Sequence, residues 1–142
     1  MNYAGDISPK ACWDMLSGED RAVLVDVRTR AEWAYVGGPM VHTDMRAPIG
    51  QEWQVFPTMQ VDAGFVGALQ QQLDAQGATR DTKICFLCRS GVRSLAAAQA
   101  MTAHGYTQCF NIAGGFEGDP NGDGHRGHVN GWKAEDLPWR QP

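Results

Sequence analysis

Lys83–Gln99 reads KICFLCRSGVRSLAAAQ, and this stretch decides how the rest of the chain is read. An unbroken apolar run ends in a cysteine, a short polar bend with a glycine and two arginines follows, and an alanine-rich segment begins. A run without polar alternation marks a strand buried on both faces. The alanine-rich segment RSLAAAQAMTAHG is a helix of strong formers, closed at Gly105 with His104 near its negative end. Strand, tight bend and helix in that order place Cys88 where a parallel sheet presents its chemistry, beyond the carboxyl end of a strand.

Working outward, AVLVDV (Ala22–Val27) is a second buried strand and QCFNI (residues 108–112) a third. Ser8 and Pro9 form a cap and first-turn pair that opens a helix over KACWDMLSG. Thr29 and Glu32 have capping-box spacing, so a short helix begins there and breaks at Gly37-Gly38-Pro39. MVHTD (residues 40–44) reads as a short strand, and residues 46–60 as a loop with room for one more. Phe65, Leu69 and Leu73 lie at helical spacing in a segment ended by Gly77. Residues 114–131 hold seven of the 17 glycines and read as loop. Strands alternating with helices indicate one α/β domain over residues 1–142, with a mainly parallel sheet flanked by helices.

The 142 residues suffice for one core, and 43% hydrophobic with 20% charged residues is a globular composition. A net charge of −4 excludes a general nucleic-acid or anionic-membrane surface. The first residues lack the cationic and apolar regions of a signal peptide, and no run reaches membrane-spanning length. The expected location is the cytoplasm, with no nucleic-acid or membrane partner.

Four cysteines are too few for a disulfide scaffold. Cys85 and Cys88 form a C-x-x-C, but three residues apart along a strand they point to opposite faces, about 10 Å apart. That is too far for a disulfide. A zinc site needs further ligands, and no second C-x-x-C exists. Cys12, Cys85 and Cys109 read as core. The bend CRSGVR turns N–H groups inward as an anion nest at a helix start, and Gly91 supplies the tight curve. Arg89 and Arg93 add positive charge, surroundings that favour a Cys88 thiolate at neutral pH. Asp26 and Arg28, at the end of their strand, read as a brace for the active loop. Asp119, Asn121, Asp123 and Gly124 partly imitate a calcium loop, but Asn130 stands where a bidentate glutamate is needed. His125 and His128 read as exposed. No metal and no cofactor is expected.

CRSGVRS, with upstream VLVDVRTRAEW and downstream NIAGGFEG, resembles the rhodanese (thiosulfate sulfurtransferase) family. The resemblance covers nearly the whole chain, and the family's six-residue loop aligns with Cys88–Arg93 without a gap. It departs after AEW, where many members carry Gly-His-Ile-Pro-Gly-Ala and this chain reads AYVGGPMVHTD. The resemblance implies a rhodanese-like fold and a ping-pong reaction. Cys88 would attack the outer sulfur of thiosulfate or another sulfane-sulfur donor, releasing sulfite and leaving a persulfide. Cyanide, a small thiol or a thiol protein would then take the sulfur. Cys88 is the expected catalytic residue, Arg89, Ser90, Gly91, Val92 and Arg93 the donor site, and Asp26 and Arg28 its support. Two alternatives stand beside it: a carrier or sensor passing persulfide to a protein, and a phosphatase- or arsenate-reductase-like enzyme.

Overall fold

The computed structural model describes residues 2–141. Three four-residue strands make the middle of the sheet, β2 (Val23–Asp26), β7 (Ile84–Leu87) and β8 (Cys109–Ile112). In β2 and β7 every residue is buried, as their unbroken apolar runs require. β1 (Gly5–Ile7) lies beside β8 and β4 (Ile49–Gly50) beside β2, giving the order β1-β8-β7-β2-β4 with all neighbours parallel. Four helices accompany it: α1 (Pro9–Ser17), α2 (Arg30–Tyr35), α3 (Phe65–Ala75) and α4 (Val92–Ala103). Two-residue strands form the side pairs β3 (Gly38–Pro39) with β9 (Trp139–Arg140), and β5 (Gln54–Val55) with β6 (Gln60–Val61).

The strand period of two sorts the core into halves. Val23, Val25, Ile84 and Phe86 point to one face, where Phe65, Leu69 and Leu73 of α3 and Ala97, Ala98 and Met101 of α4 cover them. Leu24, Cys85 and Leu87 point to the other, against Cys12 and Leu16 of α1, Phe116, Trp132 and Leu137. Truncating one of these fully buried leucines to alanine costs about 2–5 kcal/mol.

Local signals act as their chemistry dictates. Ser8 Oγ accepts from Ala11 N–H and Pro9 opens α1. The capping box is complete: Thr29 Oγ1 accepts from Glu32 N–H, and Glu32 Oε1 accepts from Thr29 N–H. Residues 40–44 form no strand. Met40 N–H is taken by Pro138 O, and a turn from His42 to Met45 follows. The free side of β2 pairs with Ile49–Gly50 instead, so the stretch has no ladder to join. The 46–60 region holds β4, β5 and the turn into β6. Among the described residues, no helix is long and apolar enough to cross a membrane.

Candidate active site

β7 ends at Leu87, so Cys88 is the first residue of the bend and not part of the strand. Its side chain joins the α3/α4 half of the core, while Cys85 packs in the opposite half with Cys12. All four cysteines are free. Cys88 is 2% exposed and lines a cleft of about 410 Å³ with Glu32, Gln54, Met59, Arg89, Ser90, Val92 and Arg93. The donor loop expected from sequence and the cysteine therefore share one cleft. Gly91 also belongs to that bend, and its N–H donates to Cys88 Sγ at 3.1 Å. Its φ of +117° is a conformation that L side chains rarely adopt, which is why glycine stands there. Gly91 also caps α4, and no side chain caps that helix, so its first turn presents backbone N–H groups beside the sulfur.

The two arginines differ. Arg89 is exposed. Arg93 is 15% exposed at its side chain and grips Glu32 with Nη1–Oε1 2.6 Å and Nη2–Oε2 3.0 Å. Burial works to raise the Glu32 carboxyl, but the Arg93 hydrogen bonds and charge, with Thr29, hold it below its ordinary value. Burial likewise works against the Arg93 cation, and Glu32 outweighs it, with smaller help from Cys88 and Asp26.

Asp26 and Arg28 sit behind the loop. Arg28 is fully buried; its Nε and Nη2 donate to the Asp26 carboxylate at 2.9 and 2.7 Å, and Nη2 also donates to Gly37 O. Its guanidinium lies 4.4 Å over the Phe116 ring. Phe116 N–H donates to Cys88 O at 2.7 Å, and Glu117 and Gly118 N–H both donate to Arg89 O. The Asp26–Arg28 pair thus meets the active loop through Phe116, besides the pairing of Asp26 with Leu87 at the end of β7. Gly115 allows that approach, because a Cβ there would fall against the Cys88 carbonyl and within 2.6 Å of Arg89 C.

Three further residues touch this site without a local signal in the sequence. Ser94, fully buried, places Oγ 3.2 Å from Cys88 Sγ and donates to Asn111 Oδ1 at 2.6 Å. Asn111 Nδ2 donates to Asp6 Oδ1 at 3.1 Å. Glu32 was legible as a helix cap but not as the partner of Arg93, 61 residues away. The calcium-like segment is used for its own folding: Asn130 binds both the N–H and the carboxylate of Asp119, and His125 and His128 are exposed.

The Rhodanese-like domain family matches residues 8–119. Uncharacterized proteins of Rickettsia conorii and Rickettsia rickettsii are 39% and 40% identical over 99% of both chains. The crystal structure of Rv0390 from M. tuberculosis superposes with a TM-score of 0.87 at 42% identity, covering 99% of this chain and 100% of that one. The polysulfide-sulfur transferase of Wolinella succinogenes shares the fold at a TM-score of 0.61 and 20% identity, over 99% of this chain and 80% of that one. A five-stranded parallel sheet, the C-x4-R bend at the end of its central strand and a family match over most of the length agree: this chain belongs to the rhodanese-like domain family.

Proposed function

We propose that the protein is a sulfurtransferase that moves sulfane sulfur from thiosulfate through a Cys88 persulfide to cyanide or a thiol. The observation that carries this reading is the placement of Cys88 Sγ in the cleft with Gly91 N–H directed at it, at the open start of α4. Family membership and the sulfur-transferring namesake among its structural neighbours support sulfur transfer as the chemistry. Cys88 Sγ displaces sulfite from the outer sulfur of thiosulfate, and the S–S bond formed leaves the negative charge on the terminal sulfur. Backbone N–H groups and Arg89 stabilise that charge, and a thiolate or cyanide then removes the sulfur.

A second reading, a carrier that loads a thiol protein, is favoured by one feature. Two exposed apolar side chains line the cleft, Val92 at 77% and Met59 at 38%, and the hairpin turn that carries Met59 also exposes Phe56 at 59%. A small anion needs no such apolar side chains, and exposed apolar surface beside a cleft suits contact with a larger partner. Phosphatase or arsenate chemistry is the weakest reading. C-x5-R loops encircle a tetrahedral phosphoryl group, and the Cys88–Arg93 loop is one residue shorter. A misplacement of about 1 Å in such a cradle costs on the order of a hundredfold in rate.

The test is intact mass after thiosulfate treatment, followed by challenge with cyanide and with a reduced dithiol protein. The expected result is one reducible sulfur added to wild type and none to Cys88→Ser. Turnover retained in Cys88→Ser, or aryl phosphate hydrolysis as fast as thiosulfate turnover, overturns the proposal.

A further inference from the structure

Met59 occupies a backbone position that disfavours it. The turn between β5 and β6 closes with Met59 N–H donating to Val55 O at 2.6 Å, and it holds Met59 at φ +57°. Side chains with a β-carbon are strained in that left-handed region, so a turn of this kind ordinarily carries glycine or asparagine there. Methionine gains little from the core, being 38% exposed. It lines the Cys88 cleft instead. Strain that packing does not explain is a sign of function. The support is firm. Trp53, just before the hairpin, donates its N–H to Val27 O at 3.1 Å and meets the Phe65 ring edge to face, 4.9 Å between centroids. Asp62, just after it, donates to Trp53 O at 2.9 Å. The hairpin base is thereby fixed to the end of β2 and to α3.

Charge in the cleft points the same way. Its charged lining side chains are Glu32, Arg89 and Arg93, and Glu32 occupies both terminal nitrogens of Arg93. Among the described residues Arg89 has no carboxylate partner, so one cation is left to meet a donor. The side chains thus match a donor with one negative charge and leave thiosulfate, with two, half compensated. Beside that cation stand the apolar Met59 and Val92. Apolar side chains with a few polar groups suit the organic part of a small ligand, and a thioether makes favourable contacts with aromatic rings.

We propose that Met59 is a specificity-determining residue, through which the cleft prefers a monoanionic sulfane-sulfur donor bearing an apolar organic group over thiosulfate. The proposal rests on Cys88 being the sulfur acceptor. With a thiosulfonate as donor, the Cys88 thiolate attacks the outer sulfur. The new Sγ–S bond forms as the bond to the sulfonyl sulfur breaks, and the sulfinate leaves with the electron pair. The terminal sulfur on Cys88 keeps one negative charge, and no oxidant, reductant or added proton is needed. The organic group of the donor rests against Met59.

The experiment is the second-order rate at which the intact protein gains one sulfur on Cys88, read by mass with no acceptor present. The donors are thiosulfate and the methanethiosulfonate and benzenethiosulfonate anions. Intrinsic donor reactivity cancels when each variant is divided by wild type. Met59→Ala is expected to lower the benzenethiosulfonate rate roughly tenfold more than the thiosulfate rate, with methanethiosulfonate between them. Met59→Leu is expected to restore most of the preference. Met59→Gly is expected to lose it as Met59→Ala does while keeping Tm at or above the wild-type value, since glycine relieves the backbone. Glu32→Gln removes the charge that cancels Arg93 and is expected to shift the ratio of rates toward thiosulfate. Equal changes for all three donors in Met59→Ala, or no change in any, overturn the proposal. A protein that gains sulfur from all three donors without this discrimination counts against the present inference only. One that gains none from any donor overturns the proposed function with it.

Discussion

Arg93 holds Glu32 through two hydrogen bonds of 2.6 and 3.0 Å, so the last cation of the loop enters the cleft already matched by an anion. Glu32→Gln removes that anion while keeping an amide oxygen that can accept the Thr29 N–H of the capping box. The Km for thiosulfate is expected to fall roughly three- to tenfold, since a charge-assisted contact to the donor is worth about 1–3 kcal/mol and only part of it is released. Arg93→Ala is expected to raise Km and to leave Glu32 a lone, largely buried charge. Steady-state kinetics on both variants checks the pair. An unchanged Km in both assigns donor binding to the backbone and Arg89.

The same pair gives an acid limit. The folded Glu32 carboxyl lies below its ordinary value, so its stabilising effect is complete above the unfolded value, near about pH 4.3, and is lost as pH falls through the lower folded value. Urea unfolding of wild type and Glu32→Gln is expected to show wild type more stable at pH 7. The gap is expected to close below about pH 4. A gap that widens in acid would contradict the sign.

Thiol reactivity separates the cysteines. Burial pushes the Cys109 thiol up to about 11. Cys12 is raised by its hydrogen bond to Cys85 and by burial. Iodoacetamide at neutral pH is therefore expected to modify Cys88 before any other cysteine, and Cys12, Cys85 and Cys109 only after unfolding. Cys85→Ala is expected to retain most sulfurtransferase activity, with at most a modest loss of stability. Loss of turnover with folding intact would return the C-x-x-C to consideration as a redox pair.

The backbone of the loop is held from below by residues 116–118. At Gly115, with φ +62°, a methyl group both strains the chain and meets the Cys88 carbonyl and Arg89 C. Gly115→Ala is expected to cost about 2 kcal/mol or more, a fall in Tm on the order of 5–10 °C. Sulfur transfer is expected to drop at least tenfold. Calorimetry with thiosulfate assays reads both, and activity at wild-type level would show that the loop keeps its shape without this support.

Phe56 offers a test of the acceptor, because it is 59% exposed on the hairpin turn and is not among the residues lining the cleft. Phe56→Ser is expected to leave cyanide-dependent kcat/Km within about twofold and to weaken transfer to a thiol protein severalfold. Equal effects on both acceptors would remove the hairpin turn from acceptor recognition.

Much of this architecture is written locally. The apolar runs at 22–27, 83–88 and 108–112 became the three central strands because nothing in them breaks a doubly buried ladder. The caps at Ser8 and Thr29 and the bend at Gly91 are equally local, and each forms as its residue types require. Residues 40–44 misled because strand propensity needs a free ladder, and Ile49–Gly50 holds it. The Glu32–Arg93 and Ser94–Asn111 contacts had no sequence signal, since they join elements that only the sheet order brings together. Ser94 and Asn111 meet because α4 connects β7 to β8, its neighbour in the sheet.

The sheet edges set how this molecule meets others. β1 offers three residues and β4 two, so neither outer strand carries enough open backbone to template a further strand over any length. Short edges are a defence against runaway self-association. Recognition by strand addition is correspondingly disfavoured, which leaves side chains rather than open backbone as the surface the sheet offers to another protein.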